Sequence, residues 1–70
     1  MITVGEAIKL LQEAGFTELN QVGSHKKFGK GVYRFTIVYH RSPKEELHKP
    51  TQKKLNNLLK QVKDESANKQ

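Results

Sequence analysis

Seventy residues, 34% of them hydrophobic and none a cysteine, allow one small domain and exclude disulfides and thiolate metal sites. The charge is +6, and it is segregated: nine basic residues and two acidic ones lie between Ser24 and Lys54, while the remainder is close to neutral. With a pI near 9.8, this central basicity favours nucleic acid as a partner over a surface that is merely solubilising.

Thr3 and Glu6 make a capping-box pattern, and Val4, Ala7, Ile8, Leu11 and Ala14 follow at helical spacing. The pattern predicts a first helix over about residues 4–14, closed by Gly15 in the left-handed conformation with Phe16 folding back as its hydrophobic seal. A short strand is expected over 18–22, then a tight turn or bulge at Gly23, then a second strand over 24–28. Gly29-Lys30-Gly31 reads as a hairpin turn. The strongest strand is 32–39, with Tyr33, Phe35, Ile37 and Tyr39 on one face and Arg34 and Thr36 on the other. Their alternation with polar residues assigns those aromatics to the core, in preference to a base-stacking platform.

Residues 40–49 read as a surface loop. Pro50 suits the first turn of a second helix, whose stripe is Leu55, Leu58, Leu59 and Val62 and which is expected to end near Lys63. Residues 64–70 read as a polar, disordered tail, leaving 1–63 as the domain. Two amphipathic helices and three antiparallel strands make an α+β, α-β-β-β-α architecture with both helices on one sheet face. No apolar run approaches the ~20 residues of a membrane span, and no signal-peptide layout is visible. A cytoplasmic protein is therefore expected.

The stretch Gly23-Ser24-His25-Lys26-Lys27-Phe28 carries the chemistry. It sets one imidazole, able to exchange protons near neutral pH, among cations that suit a phosphate-bearing substrate. Strand alternation sends Phe28 to the core and His25 with Lys27 to the opposite side, which leaves Lys26 on the side of Phe28. Ser24 has no carboxylate near it in sequence to complete a triad. His25, His40 and His48 are irregularly spaced, so no metal site and no cofactor are expected. Lys53 and Lys54, near the start of the second helix, suit either phosphate or water.

Four segments resemble the HicA toxins: Gly15-Phe16, Gly23-Ser24-His25, Thr36-Ile37-Val38-Tyr39-His40, and Glu46-Leu47 ahead of Leu58-Leu59-Lys60-Gln61-Val62. The resemblance covers about residues 4–62. HicA proteins are mRNA interferases of toxin–antitoxin systems, with a fold like that of double-stranded-RNA-binding domains. The resemblance implies metal-independent cleavage of mRNA with His25 as the catalytic residue, and a HicB-like antitoxin that covers the active face. Val38 stands where the family usually has proline, and Pro50-Thr51 where it commonly has Gly-Thr.

His25 then acts as general base on the RNA 2′-hydroxyl. Lys26, Lys27, Arg34, Lys53 and Lys54 are the candidate RNA-binding cations, and Gly23 and Ser24 shape the site. His40 is one candidate for the acid. The competing expectation is a module of the same fold that holds structured RNA without cutting it.

Overall fold

A computed structural model of the chain describes residues 2–39 and 42–67. Its elements run α1 (Val4–Glu13), β1 (Thr17–Val22), β2 (His25–Lys30), β3 (Tyr33–Val38) and α2 (Lys49–Ala67). The strands form one antiparallel sheet in the order β1-β2-β3. This is the expected α-β-β-β-α chain, with the helices packed on one face of the sheet and the other face open.

Both ends of α1 are built by the residues that predicted them. Glu6 N–H donates to Thr3 Oγ1 at 3.2 Å, and Thr3 N–H donates to Glu6 Oε1 at 2.9 Å, so two orphan amides are satisfied reciprocally. At the other end Phe16 N–H donates to the Leu11 carbonyl and Gly15 N–H to the Gln12 carbonyl. Gly15 sits at φ +100°. That paired geometry, with Phe16 and Leu11 both buried, is a Schellman closure.

The core joins Val4, Ala7 and Leu11 of α1, Phe16 just after it, Phe28 and Ile37 of the sheet, Leu47, and Leu55 and Val62 of α2. Tyr33, Phe35 and Tyr39 pack against it, which places the aromatics on the helix side and not on a base-stacking surface. Leu47 comes from the segment read as a surface loop. That segment is tied down by backbone bonds: Val4 N–H to Glu45 O, Gly5 N–H to Pro43 O and Leu47 N–H to Ile2 O. Gly5 permits the approach, since a methyl group there would stand 3.0 Å from Pro43 Cβ and 3.1 Å from its carbonyl oxygen.

Two boundaries differ from expectation. The second hairpin turns at Gly31-Val32, while Gly29 and Lys30 belong to β2. Gly29 pairs with Thr17 on one side and Arg34 on the other, and Lys30 pairs with Tyr33; this ladder carries β2 two residues further. Gly23 and Gly31, at φ +58° and +57°, each begin a two-residue turn in the sense of type II′. Of the turn or bulge expected at Gly23, the turn is what forms; a separate irregularity lies in β1, between Glu18 and Asn20. Finally, α2 continues to Ala67, so residues 64–67 are helical and not a tail. No glycine or proline stops the helix there, and the Tyr33 hydroxyl donates to the Glu65 carboxylate.

Candidate functional site

Alternation along β2 divides its six residues into two sets. Lys26, Phe28 and Lys30 face the helices, whereas His25, Lys27 and Gly29 face the open side. Burial follows: Phe28 is fully buried, Lys26 and Lys30 are half-buried, and His25 and Lys27 are exposed. The register carries the division across the sheet. His25 pairs with Val22 and Val38, Lys27 with Asn20 and Thr36, and Gly29 with Thr17 and Arg34. His25 and Lys27, two residues apart, stand about 7 Å from one another along the strand.

The open face therefore presents an imidazole flanked by two valines, then a lysine between an asparagine and a threonine, then an arginine across a bare glycine. Leu19 reaches over that glycine from the irregular part of β1; its Cδ1 would lie 2.7 Å from a Cβ at position 29, and Arg34 Nη1 3.0 Å from it. Arg34 is anchored, its Nη1 donating to the carbonyls of Gly31 at 2.6 Å and Tyr33 at 2.7 Å. Nε and Nη2 remain for a ligand. Leu19, Lys27, Arg34 and Thr36 line one shallow hollow.

The single carboxylate within the strands, Glu18, pairs with Phe28 and so belongs to the helix side. Its Oε1 lies 3.6 Å from Lys26 Nζ. The open face of the three strands thus holds cations and no anion. It is a surface suited to phosphate, with an exposed imidazole beside its cations.

The residues that shape the entry to β2 do so through backbone. Gly23 supplies the positive φ, and the Ser24 carbonyl accepts from Tyr39 N–H at 2.6 Å, which continues the ladder past His25. Lys26 is drawn to the other side, where it meets Glu18 and lies 4.8 Å above the Tyr39 ring. Lys53 and Lys54 are exposed on α2, in the helix layer. The cations expected to act together are thus split between two layers, and only His25, Lys27 and Arg34 share the open face. His40 lies outside the described residues.

Sequence reasoning missed the two valines beside His25, although one signal was available. A two-residue turn at Gly23-Ser24 makes Val22 the partner of His25. It also missed Lys30, whose Nζ donates to the Ala14 carbonyl at 2.6 Å and so neutralises the C-terminal end of α1. Among the described residues, no group of three or more His, Cys, Asp or Glu side chains is placed to hold a metal ion. None of the described helices is long and apolar enough to cross a membrane.

The family whose model is described as HicA toxin of bacterial toxin–antitoxin matches residues 4–63. No curated protein and no solved structure gives a match. The matched span takes in α1, all three strands and most of α2, and with it His25 and the open face. The chain belongs to the HicA toxin family, the toxin half of a toxin–antitoxin pair.

Proposed function

We propose that this toxin is a metal-independent endoribonuclease that cuts mRNA, with His25 as general base, and so stops translation and growth. The observation that supports it is the placement of His25. It is exposed at the head of β2, on a sheet face that carries Lys27 and Arg34 and no carboxylate.

RNA brings its own nucleophile. Neutral His25 takes the 2′-hydroxyl proton, the 2′-oxygen bonds to the adjacent phosphorus, and the bond from phosphorus to the 5′-oxygen breaks. The products are a 2′,3′-cyclic phosphate and a 5′-hydroxyl, whose proton the open face lets water supply. A positioned base of this kind contributes roughly 10²–10⁴-fold. Lys27, and the Arg34 nitrogens not used on backbone carbonyls, offset charge growing on the phosphate. Gly23 and Ser24 hold the strand entry, while Lys53 and Lys54 contact RNA backbone from α2. Lys26 faces the helices from the central strand, engaged by Glu18 and the Tyr39 ring, and it has the smallest part in holding RNA.

The antitoxin, in this account, is a HicB-like protein that covers the open face. Leu19, Val22 and Val38 are exposed there at 51%, 59% and 38%. Val22 and Val38 offer apolar contacts beside His25 and Leu19 offers one over Gly29, and acidic residues of the partner would meet Lys27 and Arg34. Acting on message, the toxin works in the cytoplasm.

Incubation of the purified protein with RNA, with and without EDTA, beside His25→Ala, tests the proposal. The parent should cut in both conditions and arrest growth when expressed, and the variant should be slowed at least a hundredfold. A variant that cuts like its parent disproves the role of His25. RNA that is bound but left whole by the parent favours a module that holds RNA without cutting it.

A further inference from the structure

From Lys49 to Lys63, α2 contains five lysines and no acidic residue. Four of these lysines, Lys49, Lys53, Lys60 and Lys63, together with Asn56, recur at alternating intervals of four and three. At about 3.6 residues per turn that spacing keeps all five on one side of the helix. Every one of them is exposed. The side chains turned to the core, Leu55 and Val62 with Leu58 and Leu59 beside them, occupy the other side. The stripe runs about 21 Å at about 1.5 Å per residue.

A solvated helix face normally interleaves glutamate with lysine, because opposite charges four apart support the helix and like charges weaken it. This stripe does the reverse. Among the described residues none of its lysines has a carboxylate partner, the one ion pair being that of Lys26 with Glu18. Lys49 and Lys53 also stand in the first turns, where helix polarity disfavours cations, and the first turn holds no acidic residue to offset them. Positive charge has been gathered along one line against the helix's own preference. A polyanion with regularly spaced charges is the ligand that such a line complements.

We propose that the stripe Lys49, Lys53, Asn56, Lys60 and Lys63 is a second RNA-binding surface, which grips the phosphate backbone in the helix layer while the open sheet face does the cutting. This rests on RNA being the polyanion, as in the function proposed above. Binding through the stripe is independent of sequence: the lysines take phosphates, and the Asn56 amide takes a phosphate or ribose oxygen. Affinity and chemistry then sit in separate layers of the molecule, so an occupied stripe leaves the sheet face free to work along the strand.

The test is made in the His25→Ala background, so that RNA stays whole. Binding of a fluorescent RNA hairpin is measured by anisotropy between roughly 50 and 200 mM salt. Lys60→Gln/Lys63→Gln is compared with Lys9→Gln/Lys44→Gln, which removes the same charge from exposed positions elsewhere. Glutamine matches lysine in helix propensity. The stripe variant should bind about tenfold more weakly at the lower salt. Its slope of log affinity against log salt should shrink by about 1.4–1.8, for two phosphates lost. The control should keep its slope and lose less than twofold, and Lys60→Arg/Lys63→Arg should bind like the parent.

Equal behaviour of the stripe and control variants overturns the proposal, as does loss of binding in the arginine variant. It is equally overturned if the glutamine variant keeps its RNA affinity and instead loses capture of the antitoxin. The function proposed above fails separately: a parent that leaves RNA intact, while the stripe still sets affinity, removes the nuclease and leaves the stripe.

Discussion

Lys26 and Lys27 are neighbours in the chain and do different work. Lys26 is half-buried on the helix side, between the Glu18 carboxylate and the Tyr39 ring. Lys27 is exposed on the open side, between Asn20 and Thr36. The two faces of this sheet differ in the same way throughout. The helix face keeps its cations engaged, Lys26 on the Glu18 carboxylate and Lys30 on the Ala14 carbonyl. The open face leaves His25 and Lys27 to water. A cluster of positive residues in sequence is therefore no single surface. In a strand, the pleat decides which charges stabilise the fold and which meet a ligand.

Substitutions at successive β2 positions should separate these roles. Phe28→Ala removes the largest fully buried side chain, and truncations of that kind cost about 3–5 kcal/mol. A domain this small has little more to lose, so urea titration should find the variant largely unfolded. His25→Ala, on the exposed face, should move the midpoint by less than about 0.5 kcal/mol. Lys30→Met keeps the apolar stem but frees the Ala14 carbonyl, and should cost about 1 kcal/mol with RNA affinity unchanged. The finest comparison is Lys26→Met against Lys27→Met. The first loses an ion pair and a cation–π contact, together about 0.5–1 kcal/mol of stability. The second should leave stability alone and reduce the salt slope of RNA binding by about 0.7–0.9, one phosphate contact. Equal effects from the two would mean that the faces are not divided.

How much of this was legible depends on the range of the interaction. The capping box of Thr3 with Glu6 and the closure at Gly15-Phe16 are local, involve residues within six positions, and were readable. So was the alternation in β3, because Tyr33, Phe35 and Ile37 repeat at the period of the pleat. Gly29 misled: a glycine beside Lys30-Gly31 looks like part of a turn, and only the pairing with Thr17 and Arg34 shows it inside a strand, with Leu19 lying over it. Leu47 and Lys30 were hidden for the same reason. Leu47 is buried by a segment that bonds back to Ile2 and Val4, and Lys30 reaches a carbonyl sixteen residues away. At the site, His25 could be assigned to the open face from alternation alone. The composition of that face, with Glu18 absent from it and Val22 and Val38 present, required the register.

Acid offers a way to probe the structural layer. That layer has an acid-sensitive group, Glu6. Its hydrogen bond from the Thr3 backbone N–H, and then that with the Thr3 side chain, hold its carboxyl below the ordinary value of 4.5. The sign follows from linkage. A carboxylate whose folded value is depressed binds protons more weakly in the native state, so its contribution is complete above 4.5 and is lost as pH falls through the folded value. Because Glu6 is fully exposed, the contribution is small. Glu6→Gln keeps the reach of the side chain and removes the titration. Thermal melts of parent and variant should differ slightly at neutral pH and converge in acid, as the pH falls through the depressed value of Glu6. Melts that kept their separation in acid would mean that the Glu6 carboxylate does not contribute through the capping box with Thr3.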